Sequence, residues 1–272
     1  MHNNKARFLA APYLLWMAMF IIVPLAVVLF FALTDPSTGQ FTLGNLSRMG
    51  NHLQTFGDSI WLALVATVVC LFVGYPVAYA ISKASDSQQR LLVMLLMLPM
   101  CMSFLLRTIA WVAMLEDTGL INRLFNAIGF GPFRLIRTPG AVVLGMVYNY
   151  LPYMILPLHS VLAKLDKHLI ESAQDLGCNS KNVLAKVILP LSLPGIIAGV
   201  TMVFVPAVST FYISQKLGSS GTRLIGDVIE EQFKQAYNPN LGAALSLVLM
   251  ILIFLCMWIM NRFTDSDEVL LV

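Results

Sequence analysis

The segment that decides how this sequence is interpreted is residues 168–191, HLIESAQDLGCNSKNVLAKVILPL. Apolar and polar residues recur with helical spacing from Leu169 to Leu176, which predicts a short amphipathic helix. Gly177 stands where that helix would end, because glycine adopts the left-handed conformation of a helix C-cap without steric cost. Asn179 or Ser180 can then cap a second helix. The segment therefore predicts a helix, a sharp turn and another helix.

Long apolar runs lie on both sides of this segment. The chain has 272 residues, of which 58% are hydrophobic and 11% charged, whereas soluble domains carry about 25% charged residues. A membrane-spanning helix needs about 20 mostly apolar residues. Six stretches meet this length, and they predict an all-α integral membrane protein with spans at Phe8–Leu33, Ser59–Ile81, Leu91–Leu115, Ala141–Leu162, Gly195–Ile213 and Leu241–Met260.

Several functional classes are disfavoured by what the sequence lacks. No phosphate-binding loop is present, because no glycine is followed directly by lysine, so any ATP must be bound by another chain. The scattered Lys and Arg residues do not predict nucleic-acid binding. The spans hold no paired aspartates, Ser/His pair or HExxH motif, so we predict neither an enzyme nor a metal site. No cofactor is expected on this chain.

The distribution of basic residues favours one orientation in the membrane. With the N-terminus in the cytoplasm, the 163–194 loop and its lysines also fall on the cytoplasmic side, as the positive-inside rule expects. Because the number of predicted spans is even, the C-terminus then lies in the cytoplasm together with the N-terminus.

The 168–191 segment resembles a motif of one transporter family. Binding-protein-dependent ABC importers of the type I fold carry the pattern E-A-A, three residues, G, nine residues, I-x-L-P. This chain has Glu171-Ser172-Ala173, three residues, Gly177, nine residues, and then Val187-Ile188-Leu189-Pro190. The departures, Ser for Ala and Val for Ile, are both conservative in size. A stand-alone channel would give no reason for this segment.

The resemblance extends over about residues 60–260, where the chain is similar to the first permease subunit of spermidine/putrescine importers. The stretches that carry it are Pro99 to Asn122, YNYLPYMILPLHSVLAKLD (148–166), LPLSLPGIIAG (189–199), FVPAVSTFYIS (204–214) and LIGDVIEEQF (224–233). Gln215 and Ser219-Ser220 depart from the family pattern. A permease of the same fold for another solute, such as a phosphonate, thiamine or an iron complex, therefore stays open.

This resemblance implies a single permease domain over 1–272 with a coupling loop at 163–194, in a bacterial cytoplasmic (inner) membrane. Its expected partners are a second homologous permease, two copies of an ATPase that binds ATP and Mg, and a periplasmic or lipid-anchored solute-binding protein. The residues expected at the ATPase contact are Glu171, Ser172, Ala173, Asp175, Gly177, Leu189 and Pro190.

Polar residues in the spans supply candidates for the translocation path. Asn149 and Tyr153 belong to a stripe of small, polar and aromatic residues with helical spacing. Ser209 and Tyr212 follow Pro206 in the next span. Helix packing explains such residues equally well. Arg107 lies inside the third span, where an arginine is costly and usually paired, so we predict a structural role with a carboxylate from a loop or a partner chain, or a cation–π contact with Trp111.

Overall fold

The computed structural model describes residues 12–35, 39–129, 131, 133–219 and 221–268, and these are mostly helical. Within them the extended structure is one isolated bridge between Thr34 and Phe41. The principal helices are α1 Pro12–Ala32, α2 Leu53–Ser82, α3 Asp86–Cys101, α4 Phe104–Leu115, α5 Leu120–Ala127, α6 Pro139–Leu162, α7 Lys167–Asp175, α8 Ser180–Leu191, α9 Leu193–Val208, α10 Tyr212–Leu217, α11 Ile225–Lys234 and α12 Pro239–Glu268.

Helix length and composition agree with a multi-pass membrane protein. Among the described residues, four helices are long and apolar enough to cross a membrane, and the number reaches six if each of two bent helix pairs forms one span. Three of the predicted spans lie within α2, α6 and α12. The first corresponds to α1, although residues 8–11 lie outside the described part of the chain.

The predicted third span at 91–115 is not one straight helix. Residues Asp86–Cys101 and Phe104–Ala127 meet at 86°. A tighter 3-10 turn occupies Leu98–Cys101, where Pro99 has no N–H to continue the α-helical bonding, and Met102 is extended with φ −83° and ψ 151°. The stretch predicted as the third span is therefore broken by a bend, and a single span there stays a prediction.

The predicted fifth span at 195–213 also differs from the structure. Its helix, α9, ends at Val208 after Pro206, and Tyr212 begins the separate helix α10. At its other end α9 starts at Leu193 and meets α8 at a bend of 65°. Pro194 contributes to this break, because its nitrogen cannot donate to the carbonyl of Pro190.

The chain forms two compact units. The first comprises the described residues of Met1–Gln54 together with Val228–Leu252. Its small core contains Ala32, Ala243 and Ala244. The Nδ2 atoms of Asn45 and Asn240 donate to the Thr34 carbonyl at 2.9 and 2.7 Å, so two side chains satisfy a backbone acceptor just beyond the end of α1.

The second unit comprises the described residues of Thr55–Asp227 and Ile253–Val272, and α6 supplies much of its core. The side chains of Met146, Met154 and Leu158 on α6 are fully buried. A Cβ added at Gly199 would lie 2.7 Å from the Met154 Sδ atom, and one at Gly195 would lie 3.1 Å from Val161. These distances show that the two glycines permit close packing of α9 against α6. The single permease domain over 1–272 stays a prediction.

Candidate functional site

The candidate coupling segment, residues 163–194, contains the predicted pair of helices. Its first helix, α7, begins where the Asp166 carboxylate accepts a hydrogen bond from the His168 backbone N–H at 2.9 Å. The Glu171 side chain is 64% exposed, and its carboxylate lies 3.4 Å from His168 Nδ1. Ser172 and Asp175 are exposed, whereas Ala173 is half-buried. The acidic groups predicted at the ATPase contact are thus available at the surface of this chain.

The turn after α7 confirms the predicted C-cap glycine. Gly177 has φ +82°, in the left-handed region. Its N–H donates to the Gln174 carbonyl at 2.9 Å, and the Cys178 N–H donates to the Ala173 carbonyl at 3.1 Å. This pair of bonds is the Schellman arrangement, which satisfies the last carbonyls of a helix. A Cβ at Gly177 would meet nothing within 4 Å. Glycine is therefore favoured here by the left-handed backbone conformation of the turn and not by a lack of room for a side chain.

The second helix, α8, begins at the predicted cap. The Asn179 Oδ1 atom accepts a hydrogen bond from the Asn182 N–H at 2.9 Å. Residues Leu184–Ile188 form a π-helical turn, which follows from Pro190, because the proline nitrogen cannot donate to the Lys186 carbonyl. Leu189 and Pro190 are both exposed.

One contact that supports the bend between α8 and α9 was not predicted from sequence. The Tyr75 hydroxyl lies 3.0 Å from the Ser192 Oγ atom, and the two residues are 117 positions apart. Tyr75 is half-buried on α2, and Ser192 is fully buried. No local pattern signals such a pair, because its geometry arises only when α2 packs beside the end of α8.

The four candidate translocation residues differ in their exposure. Asn149 is 2% exposed, and its Nδ2 atom donates to the Gly145 carbonyl at 2.8 Å. Its Oδ1 atom is buried and has no hydrogen-bond partner among the described residues. Tyr153 is 40% exposed. Asn149 therefore faces protein in this conformation, and its role in a path stays a prediction.

The other two candidates lie around the α9–α10 break. Ser209 is exposed and donates to the Val205 carbonyl at 3.1 Å. The Tyr212 ring is half-buried, with its centroid 6.0 Å from the Phe104 ring and 5.8 Å from Lys216 Nζ. A cation already sits over this aromatic ring, which is a geometry that also binds organic ammonium groups.

Arg107 has no carboxylate partner in the described part of the chain. Its Nε and Nη1 atoms are buried without a hydrogen-bond partner among the described residues. The predicted cation–π contact with Trp111 is absent among them as well. The Trp111 ring instead packs edge-on against Tyr148 at 5.3 Å. Unpaired buried donors are costly, so the remaining prediction is a partner from another chain.

Acidic residues outside the coupling segment have different environments. Asp227 is 5% exposed, and its carboxylate accepts hydrogen bonds from the Ser214 hydroxyl at 2.9 Å and the Leu224 N–H at 2.8 Å. These bonds join α10 to the start of α11, a role that sequence did not reveal.

Glu116 and Asp117 line a cavity of about 650 Å³ with Arg134 and Arg137, so that site has mixed charge. No group of three potential metal ligands occurs within the described residues.

Comparison with known proteins extends these observations. The family model described as binding-protein-dependent transport system inner membrane component matches residues 71–266. The chain is 34% identical to the spermidine/putrescine transport system permease protein PotB of Haemophilus influenzae, covering 96% of this chain and 94% of that protein. It is 36% identical to PotB of Escherichia coli, covering 92% and 96%.

A solved structure shares the fold. The crystal structure of a bacterial alginate ABC transporter, in complex with an alginate pentasaccharide-bound periplasmic protein, contains a chain that matches with a TM-score of 0.74. The match covers 97% of this chain and 95% of that one at 13% identity. At this identity the similarity supports the fold, an ABC importer permease architecture, and not the solute.

Proposed function

Because the chain belongs to the family of binding-protein-dependent transport system inner membrane components, we propose that it is a permease subunit of an ATP-driven polyamine importer. The relatives named for spermidine/putrescine transport match nearly the whole length of the chain. This coverage includes the candidate path as well as the coupling segment, and it supports spermidine and putrescine over other solutes.

The exposed helix–turn–helix at α7 and α8 is the observation that carries the mechanism. Its Glu171 carboxylate is exposed, its turn is defined by Gly177, and it continues through α8 into the apolar helix α9. A partner ATPase that changes shape on binding and hydrolysing ATP would move α7, and α8 would pass that movement to α9. Alternating access to the path follows from such a rigid-body movement.

The proposed assembly contains this chain, a second homologous permease, two ATPase subunits with their ATP and Mg, and a solute-binding protein. The coupling segment and both termini lie in the cytoplasm in this arrangement. The periplasmic protein in the alginate transporter structure supports the presence of a binding protein by analogy of fold. Hydrolysis of ATP takes place on the partner chain, and this chain has a transport role.

Two variants at one position test the coupling role. Gly177→Val places a β-branched side chain in a left-handed conformation, which costs about 1–2 kcal/mol and shifts the turn. Gly177→Asn is the matched control, because asparagine tolerates that conformation. We expect spermidine uptake to fall about ten-fold in Gly177→Val, with membrane abundance unchanged and weaker co-purification of the ATPase, while Gly177→Asn retains most uptake.

The measurement uses cells that carry the complete set of transporter genes, with labelled spermidine and putrescine. Normal uptake in Gly177→Val would show that this turn is not the coupling element. Absence of spermidine and putrescine uptake in the unmodified strain, with another solute transported, would contradict the polyamine assignment alone.

A further inference from the structure

The bend between α8 and α9 is made at a single buried residue. Ser192 is fully buried and stands between Pro190 and Pro194. The two prolines remove N–H donors from the helical ladder, and the helices on either side meet at 65°. The Ser192 N–H still donates to the Ile188 carbonyl at 2.9 Å, and its carbonyl accepts from Ile196 at 3.0 Å. The bend is therefore made with both backbone bonds of Ser192 intact.

The Ser192 hydroxyl connects this bend to another helix. Its Oγ atom donates to the Leu189 carbonyl at 2.9 Å, at the end of α8. A hydroxyl has one proton, so in the contact of 3.0 Å with Tyr75 the tyrosine is the donor. Tyr75 on α2 thus holds the hydroxyl that is bonded to the last turn of α8.

Tyr75 occupies a fixed position because α2 packs closely on α6 at the preceding residue. A Cβ at Gly74 would lie 3.0 Å from Met154 Cγ and 3.3 Å from Ile155 Cγ1. Helix α9 packs on the same part of α6, where a Cβ at Gly199 would approach the Met154 side chain and carbonyl. Helices α2 and α9 therefore both pack against α6, and the Tyr75–Ser192 hydrogen bond connects α2 to the bend between α8 and α9.

We propose that Tyr75 is a positioning residue for energy coupling, which fixes the angle between α8 and α9 through its hydrogen bond to Ser192. This inference rests on the proposed function, since it requires that the coupling segment receive force from an ATPase. With the bond in place, displacement of α7 and α8 moves α9 as one body. Without it, part of the displacement bends the chain at Ser192, and ATP hydrolysis proceeds with less transport.

The alternative role for the bond is static, as one more contact that stabilises the folded bundle. Static stabilisation would change how much intact complex is recovered, but not what each complex does with ATP. The two roles therefore differ in the number of polyamine molecules moved per ATP hydrolysed.

The experiment removes single hydroxyl groups from the complete transporter reconstituted in liposomes. Tyr75→Phe removes the donor and leaves the Ser192 bond to Leu189, and Ser192→Ala removes the acceptor. Tyr79→Phe is the matched control, because Tyr79 is half-buried one turn along α2 and its hydroxyl makes no hydrogen bond within the described part of the chain. Spermidine uptake and ATP hydrolysis are measured on the same preparations.

We expect uptake per ATP to fall about five-fold in Tyr75→Phe, a size typical of one lost hydrogen bond, and to stay unchanged in Tyr79→Phe. In Ser192→Ala it should fall at least as far, because the bond to Leu189 is lost as well. The double variant should resemble Ser192→Ala, because that substitution already removes the bond to Tyr75 together with the bond to Leu189. An unchanged ratio in Tyr75→Phe, even with reduced recovery, would overturn the inference, and so would independent effects that multiply in the double variant. If the unmodified complex fails to couple ATP hydrolysis to polyamine uptake, the proposed function itself is wrong.

Discussion

Two bends in the second unit have similar sequence causes and different surroundings. The 65° bend at Ser192 is buried, and its hydroxyl contacts both Leu189 and Tyr75. The 86° bend before α4 is open: Met102 is 58% exposed, and the Ser103 side chain does not cap the helix that it precedes. A proline contributes to each bend, so local sequence accounts for the break and tertiary contacts account for the difference.

The open bend also leads into a helix with few internal contacts. On α4 the buried residues are Thr108 and Leu115, while Leu105 and Leu106 are 48% and 62% exposed. Arg107 lies between these exposed leucines and the buried threonine, and two of its nitrogens have no hydrogen-bond partner among the described residues. The comparison indicates that contacts within this chain support the bend at Ser192, whereas the described residues supply few such contacts to the bend before α4.

The largest expected effect comes from disturbing the packing that supports the Ser192 bend. In Gly199→Ala the added Cβ would lie 2.7 Å from Met154 Sδ and 3.1 Å from the Met154 carbonyl oxygen. We expect a loss of stability of about 1–3 kcal/mol from overpacking, seen as lower membrane abundance and earlier thermal unfolding in detergent.

Gly57→Ala is the control for this change. Gly57 lies on a different helix, α2, and a Cβ added there would meet nothing within 4 Å. Alanine exceeds glycine in helix propensity by about 1 kcal/mol, so this control should be neutral or stabilising. Equal stability of the Gly199→Ala and Gly57→Ala proteins would show that α6 and α9 are not closely packed in solution.

The next prediction concerns Arg107 at the open bend. In Arg107→Met the two unpaired donors are removed and the long side chain is retained, so the isolated chain should be no less stable and should gain about 1 kcal/mol. Uptake and recovery of the second permease should nevertheless fall, because the guanidinium is expected to pair with a group of another chain.

Arg123→Met is the control, since the Arg123 Nε atom already donates to the Thr118 carbonyl at 3.0 Å. Thermal unfolding of the purified chain and co-purification of the second permease are the two measurements. Marked destabilisation of the isolated Arg107→Met chain would mean that Arg107 has an intramolecular partner.

The contrast between the bends also separates what sequence could predict from what it could not. The turn at Gly177 and the cap at Asn179 depend on bonds between residues three to five apart, and their residue types indicate those bonds directly. The six apolar stretches were visible for the same reason, because hydropathy is a local property.

Hydropathy alone hid the breaks within two of those stretches. An apolar residue in an extended conformation contributes as much to the mean hydropathy of a stretch as one in a helix. The hydropathy of Met102 therefore did not indicate the break. Contacts between distant positions were also invisible, including those of Tyr75 with Ser192 and of Asp227 with Ser214. A buried carboxylate and an exposed one have the same letter in the sequence, and packing alone distinguishes them.

The smallest expected effect is that of Ser103→Ala, which makes at the open bend the change that Ser192→Ala makes at the buried one. The Ser103 side chain is exposed and makes no cap hydrogen bond, although serine at this position usually stabilises a helix by bonding its first turn. Its removal should therefore change stability by less than about 0.5 kcal/mol, as is usual for exposed positions, and leave uptake per ATP unchanged. The reconstituted transporter used for Ser192→Ala gives the direct comparison. A loss of uptake in Ser103→Ala as large as that in Ser192→Ala would mean that the open bend is also held by its serine during transport, and the distinction between the two bends would fail.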